Sequence, residues 1–438
     1  MTERPPLLKV GLHWCDSPKI ITLPLTKIAT LKQRSILQRW LLLALVFFAL
    51  SGGMGVVLRW TAVAPIVGVI FSFFRQGHSH VAFLGWGYLA LVSLMIHQFL
   101  PSGSLGNRKY RWNLLLSAVF IAGMIISFPV WGYKAVSIIL LSLFLVTSVV
   151  LVVYFLRDYF KTKQDGLSHY FLMAAFVWYL LSGIGPFALA PIVIFYGKGD
   201  LYHLAVYYYL HFLYNGFFAF GIGALFFKYI EDKALSFPFG DGKRFFWLTA
   251  VACLPAYLLS TLWVGTSGVI ILIAFVAGLL QLVGAFYFFR LLRELKLDGD
   301  KFALFFLRMA FISYALKVLL QLLSAIPVLT RMVYEAKSFV VIGYIHLVTL
   351  GVISSFIIAW MGMVGKMPLQ GKISQIGGGL FIIGFVLSEA LLFVRGAFQW
   401  FLFTGFHSFY LWLATFSSLL LIGILFLLMG SYRERQCR

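Results

Sequence analysis

Long apolar stretches, each bounded by Gly, Pro or a cluster of charges, recur along the whole chain. A membrane-spanning helix needs about 20 such residues to cross roughly 30 Å of hydrocarbon, and only a helix satisfies its own backbone hydrogen bonds there. The pattern therefore predicts an all-α integral membrane protein with about twelve spans. The approximate bounds of these spans are 41–60, 79–100, 112–130, 135–156, 168–191, 203–228, 245–264, 267–290, 302–326, 339–363, 375–395 and 406–430.

The basic residues predict the orientation of these spans, because Lys and Arg of short loops collect on the cytoplasmic side. With the N-terminus inside, 26 of the 35 Lys and Arg fall in inner segments and seven in outer ones, and Arg308 and Lys317 lie within a span. We expect a cytoplasmic basic tail over 1–40, a single transmembrane domain over 41–430 and a short basic cytoplasmic C-terminus over 431–438. The expected location is a bacterial inner (cytoplasmic) membrane.

Composition narrows the class of protein further. The 438 residues are 62% hydrophobic and 11% charged, whereas soluble domains are about 25% charged. The formal charge of +21 follows from the loop asymmetry, so the expected partner is the lipid bilayer and not nucleic acid. Cys15, Cys253 and Cys437 match neither a disulfide framework nor a covalent haem motif. No cleavable signal peptide and no internal repeat are evident.

Histidines share one depth in the predicted bundle. His78, His80, His211, His346 and His407 fall in the outer half of the second, sixth, tenth and twelfth helices. Imidazole ligates iron, copper and zinc, and polar groups within a bilayer usually face an interior site. Taken alone, each histidine is also consistent with a packing or interfacial role, and that role is favoured for His80 and His407. The clustering points to a metal or haem site.

Two stretches carry a resemblance to a known family. FSFFRQGHSHVAFLGWGYLALV (71–92) resembles the second helix of the catalytic subunit of haem-copper oxidases, the superfamily of cytochrome oxidases and nitric oxide reductases. YIHLVTLGVISSF (344–356) is similar to the tenth helix of that subunit. The resemblance implies a divergent cytochrome c oxidase subunit I-like protein in which His78 and His346 ligate a low-spin haem b. Arg75 matches the family's basic lead-in.

Other positions depart from the family pattern. His211, in YLHFLYNGFF, resembles the first copper ligand, but the adjacent His pair of the seventh helix is missing. Tyr344 stands where the tenth helix carries a second His. Arg395 lies near the family's arginine pair that holds haem propionates. The resemblance thus implies a low-spin haem with an oxygen-reducing site that is degenerate or remodelled, and it makes a second haem or copper doubtful.

Two axial imidazoles leave no open position on the iron, so the expected role is electron transfer with a redox partner such as a cytochrome c or a quinol. Whether the chain is also an oxidoreductase stays open. The candidate catalytic residues are His211, Tyr344, Lys317 and Glu389. Lys317 and Glu389 lie within spans, where they fit a proton path or a pairing with each other or with backbone. Arg308 is expected to snorkel to the inner interface.

Two other functions remain open from the sequence. A secondary transporter also has about twelve spans with both termini inside, and the Gly-Ile-Gly-Pro stretch that ends at Pro186 is a candidate helix break. The second half of the chain shows no counterpart to that stretch. A haem sensor or assembly factor without turnover has the same sequence features as the electron carrier.

Overall fold

A computed structural model describes residues 7–10, 21–265, 267–365, 367, 369–401 and 408–436, with side chains between 36 and 433. His407, one of the histidines considered above, lies outside the described residues. Near the N-terminus, strand β1 (Leu7–Val10) pairs antiparallel with β2 (Ile21–Pro24). Almost all the rest is helical.

Helices dominate because the long apolar runs leave the backbone no partner but itself. In chain order they are α1 (Leu25–Thr61), α2 (Phe71–Phe99), α3 (Arg108–Trp131), α4 (Ala135–Thr162), α5 (Leu167–Tyr196), α6 (Asp200–Asp232), α7 (Phe239–Cys253), α8 (Gly268–Glu294), α9 (Lys301–Leu323), α10 (Pro327–Glu335), α11 (Lys337–Met363), α12 (Lys372–Trp400) and α13 (Phe409–Gln436). Helix α1 begins well before its predicted start near 41, because the preceding Leu, Lys, Gln and Arg residues are good helix formers.

Within the described residues, eleven helices are long and apolar enough to cross a membrane. A helical, multi-pass membrane protein whose helices can contact lipid is thereby confirmed. The predicted seventh span, 245–264, is different: α7 ends at Cys253, and two 3-10 turns, Pro255–Ser260 and Leu262–Val264, follow. Pro255 has no N–H and cannot continue the α-helical ladder. The number of twelve spans and the inside termini stay predictions.

Two prolines lie within α5 without breaking it. Pro186, considered above as a helix break, and Pro191 both sit inside Leu167–Tyr196. In membrane helices the freed backbone groups are often satisfied by neighbours or local adjustment. The candidate helix break at Pro186 is therefore absent from the described helix, which removes one feature that had favoured a transporter.

The chain forms two compact units. Unit 1 comprises 1–162, 360–383 and 418–438, and unit 2 comprises 163–359 and 384–417. His78 and His80 belong to unit 1, whereas His211 and His346 belong to unit 2.

The helices that carry these histidines are the most enclosed ones. The most apolar window of α2 and of α6 is 89% buried, and that of α11 is 61% buried, whereas the other spans have values between 17 and 44%. Most spans thus present much of their surface outward, as lipid-facing helices do. The histidines lie on the three spans that the protein surrounds most completely.

Candidate functional site

Three π-helical turns interrupt the helices that carry the histidines. Among the described residues they are Val81–Tyr88 in α2, His211–Phe218 in α6 and Leu347–Ser354 in α11. π-Helical turns are rare and occur frequently at functional sites. Each of these three turns begins at a histidine or immediately after one. The turns therefore lie in α2, α6 and α11, three of the helices whose histidines the sequence analysis selected.

The three turns share one spacing between a histidine and a glycine. HVAFLG (80–85), HFLYNG (211–216) and HLVTLG (346–351) all have a Gly five residues after the His. The glycines allow close packing: a Cβ on Gly216 would lie 2.5 Å from the Cβ of Trp178.

In unit 1, α1 anchors His78. The Nδ1 of His78 lies 2.8 Å from the carbonyl oxygen of Ser51, so Nδ1 is the donor and Nε2 holds the lone pair. The ring also packs on α1, where a Cβ on Gly55 would lie 3.0 Å from Cε1 of His78. A histidine that donates one ring N–H to a backbone carbonyl has the arrangement usual for a metal-ligating histidine.

His80 has a packing environment instead. It is buried, its Nε2 lies 2.6 Å from the hydroxyl of Tyr133, and its ring stacks on Phe128 with the centroids 4.7 Å apart. Both partners belong to unit 1. These contacts fit the packing role that was favoured for His80.

In unit 2, α12 provides the partner of His346. The Nδ1 of His346 lies 3.3 Å from Oε1 of Glu389, which is buried. A carboxylate at this distance favours the proton on Nδ1 and leaves the lone pair on Nε2. Gly343 keeps the backbone of α11 close to the carboxylate, because a Cβ there would lie 3.4 Å from Oε2 of Glu389. The carboxylate–histidine pair is a recurrent support of metal ligands.

The two arginines assigned to the haem site contact aromatic rings. The guanidinium of Arg75, which is exposed, lies 6.0 Å from the ring centroid of Phe71. That of Arg395 lies 5.7 Å from the ring of Phe339 and 5.8 Å from that of Phe409. Such cation–π contacts hold a guanidinium in place. The contact of either arginine with haem propionates stays a prediction.

His211 uses both ring nitrogens within the protein. Its Nε2 donates to the carbonyl oxygen of Cys253 at 2.8 Å, and its Nδ1 accepts from Nδ2 of Asn215 at 3.2 Å. The Cys253 carbonyl can accept because the helix breaks after it, and the N–H of Tyr257 bonds to the oxygen of Leu254 instead. As a metal ligand, His211 would have to give up one of these two hydrogen bonds.

A buried polar stripe runs along α9. Ser313, Lys317 and Gln321 are spaced four residues apart and are all buried, so they share one face of the helix. The Nζ of Lys317 donates to Oε1 of Gln281 on α8 at 3.3 Å, and the hydroxyl of Tyr344 on α11 donates to Oε1 of Gln321 at 3.5 Å. One carboxamide thus accepts from the ammonium group, and a second carboxamide, one helical turn away on α9, accepts from a phenol.

Lys317 and Glu389 do not pair with each other. Glu389 lies beside His346, and Lys317 is bonded to Gln281. Among the described residues, no carboxylate oxygen lies within 4.0 Å of the Lys317 ammonium. Arg308, in contrast, is exposed on α9, as a snorkelling arginine requires.

Haem and copper fit these surroundings differently. His78 and His346 each have Nδ1 at an oxygen acceptor, which suits an axial haem ligand. In the part of the chain that is described, no group of three or more His, Cys, Asp or Glu side chains could hold a metal ion. Among the described residues, His211 therefore belongs to no such group, and both of its ring nitrogens are hydrogen-bonded.

No protein-family model matches the sequence, and no curated protein matches it. The likeness to the haem-copper oxidases therefore rests on the residues quoted above.

Proposed function

We propose that the chain is a haem-binding membrane protein similar to the catalytic subunit of cytochrome oxidases and nitric oxide reductases, and that it works in electron transfer. His78 and His346 are the proposed axial ligands of a low-spin haem b. Such a haem supplies a one-electron carrier. Because two imidazoles fill the axial positions, oxygen has no place to bind on that iron.

The single observation that carries the proposal is that both imidazoles have an oxygen acceptor next to Nδ1. Within unit 1 the Ser51 carbonyl accepts from Nδ1 of His78 at 2.8 Å, and within unit 2 the Glu389 carboxylate lies 3.3 Å from Nδ1 of His346. Both supports select the tautomer that has its lone pair on Nε2. His211 has the opposite tautomer, because its Nε2 donates to the Cys253 carbonyl and its Nδ1 accepts from Asn215.

Several finer features belong to the same proposal. The chain has twelve spans with both termini inside and resides in a bacterial inner membrane. Its redox partner is a cytochrome c or a quinol. Arg75 and Arg395 bind the haem propionates, since guanidinium groups form strong paired hydrogen bonds with carboxylates.

The oxygen-reducing site of the family is degenerate in this proposal. His211 is committed to Cys253 and Asn215, and Tyr344 donates to Gln321. These hydrogen bonds favour a packed polar interior over a second haem or copper. The proposal accordingly includes no turnover of oxygen.

The test is a reduced-minus-oxidised optical spectrum of the detergent-purified full chain, with haem and copper quantified on the same sample. The wild type is expected to show a low-spin haem spectrum with about one haem per chain. His78→Ala is expected to abolish the spectrum, because the iron loses an axial ligand. The matched control is His80→Ala, two residues away, which should retain the haem.

Other outcomes point elsewhere. A wild-type protein without haem, after expression with adequate haem supply, would refute the proposal and favour the transporter function. Haem retained in both variants would remove His78 from the site. Carbon monoxide binding by the reduced wild type would contradict the closed axial positions. Bound haem that cannot be reduced by any quinol or cytochrome c would favour a sensor or assembly factor.

A further inference from the structure

Lys317 lies at the centre of a buried polar cluster in unit 2. Only 5% of its surface is exposed, and its ammonium donates to the carboxamide oxygen of Gln281 at 3.3 Å. A charged lysine within a bilayer is costly and therefore usually has a function. The cluster of Lys317, Gln281, Gln321, Tyr344, Asn215 and His211 is called the Lys317 cluster below.

Hydrogen-bond donors dominate the Lys317 cluster. Gln281 and Gln321 both use their carboxamide oxygens as acceptors, from Lys317 and Tyr344 respectively. Their NH₂ groups therefore remain as donors. The ammonium itself has three N–H groups, of which the bond to Gln281 uses one. A ligand that complements this set must supply acceptors and, in the membrane interior, negative charge.

The described part of the chain supplies no such charge near Lys317. Among the described residues, no carboxylate oxygen lies within 4.0 Å of Nζ of Lys317. The donor Nε2–H of His211 is already bonded to the Cys253 carbonyl. A cation that is neither paired nor solvated is not stable in an apolar interior.

A metal ion at this place does not fit. His211 has no ring nitrogen left for a metal without losing a hydrogen bond to Cys253 or Asn215. The ammonium of Lys317 would also repel a second cation close to His211.

We propose that the Lys317 cluster binds a small inorganic anion and that the Lys317 ammonium supplies the positive charge that holds it. The ligand class is a monovalent anion of the size of chloride or nitrite. Gln281 and Gln321 orient it through their NH₂ groups. The competing possibility is an uncharged Lys317 amine with no bound anion.

Anion binding is tested by the thermal unfolding midpoint of the detergent-purified full chain. The midpoint is measured in sodium chloride, sodium nitrite and sodium gluconate at equal ionic strength, with the small anion titrated against gluconate. A ligand that binds only the folded state raises the midpoint in a concentration-dependent way. We expect a saturable rise with chloride or nitrite and none with gluconate, which is too large for the cluster.

Variants assign that rise to the Lys317 cluster. Lys317→Met should abolish the anion dependence, and Gln281→Met and Gln321→Met should weaken it. Arg308→Gln, which removes an exposed cation from the same helix, should leave it unchanged. If Lys317→Met does not fold, the two glutamine variants still test whether the anion binds at the Lys317 cluster. Neither of them removes a charge from the protein.

Three results would overturn the inference. They are equal midpoints for the wild type in all three salts, an anion dependence that survives in Lys317→Met or is undiminished in both glutamine variants, and about one copper per chain that disappears in His211→Ala. The test does not depend on haem. A haem-free protein that still responds to chloride would refute the proposed function and keep the anion site.

Discussion

His346 and His211 have similar sequence surroundings, but their imidazole rings have different hydrogen-bonding partners. Both belong to unit 2, both are followed by a Gly five residues later, and both stand at the start of a π-helical turn. His346 is half-buried and has a carboxylate at Nδ1, whereas His211 is fully buried and has both nitrogens bonded to neutral groups.

The difference shows that the turn and the chemistry have separate causes. The turns coincide with the His–Gly spacing and with the close packing of Gly216 and Gly351. The chemistry follows from what the neighbouring helices bring to the ring: Glu389 from α12 to His346, and the Cys253 carbonyl to His211. A histidine motif therefore predicts a rigid position but not a ligand.

The largest expected effect separates the two histidines directly. His346→Ala should reduce the haem content of the purified chain from about one per chain to nearly none, because an axial ligand is lost. His211→Ala should keep the haem, and it should destabilise the fold by about 1–3 kcal/mol because buried partners lose hydrogen bonds. Haem quantification and thermal unfolding of both variants check this pair. Equal haem loss in both would mean that the two rings share a function.

Packing at the turns gives the next effect. A Cβ on Gly351 would lie 2.6 Å from Oγ of Ser313 and 2.8 Å from Cζ of Phe385. Gly351→Ala should therefore destabilise the protein by about 1–3 kcal/mol, as overpacking does, and broaden the haem spectrum. Gly216→Ala should destabilise it similarly and leave the spectrum sharp. Gly183→Ala is the control, since a Cβ at Gly183 meets nothing within 4 Å.

A smaller effect concerns the carboxylate beside His346. Glu389→Gln removes a negative charge that favours the ferric form, so the midpoint potential of the haem should rise, with about 59 mV for each tenfold change in the equilibrium. Redox titration of the haem band measures the shift. Glu294→Gln, at an exposed site on α8, should leave the potential unchanged. A potential that does not respond to Glu389→Gln would show that the carboxylate has no electronic influence.

The smallest expected effect concerns Asp241, near the start of α7, and the stability of the protein in acid. It does not distinguish the two histidines. The hydrogen bonds from the Arg290 guanidinium hold the pKa of Asp241 below its usual value. The resulting stability is present above the unfolded pKa, about 3.9, and is lost as the pH falls through the lower folded pKa. Asp241→Asn should thus flatten the pH dependence of the unfolding midpoint below about pH 4. An unchanged profile would place the acid sensitivity elsewhere.

The sequence predicted most of the fold because the membrane leaves few alternatives. Span bounds such as 135–156 and 267–290 agree with α4 and α8 to within six residues. The end of α7 was not predicted, although Pro255 is visible, since hydropathy continues across it. The hydropathy of a segment indicates whether its side chains avoid water. It does not indicate where the backbone hydrogen bonds of an α-helix end.

The candidate site was predicted only in part. The sequence indicated His78, His346, Lys317 and Glu389 as buried or membrane-embedded, because polar residues in apolar runs are conspicuous. It did not indicate which partners they have: Glu389 was considered as a partner for Lys317 and lies beside His346 instead. Such pairings depend on helix rotation and neighbours, which the one-dimensional pattern does not contain.

The short α7 also has a consequence for biosynthesis. At 1.5 Å per residue its 15 residues extend about 22 Å, less than the roughly 30 Å thickness of the hydrocarbon. During synthesis, such a segment has too little apolar length to partition stably into lipid by itself. It is expected to enter together with α8 as a helical hairpin, so that the nascent chain commits this part of the membrane topology only after Glu294 has left the ribosome.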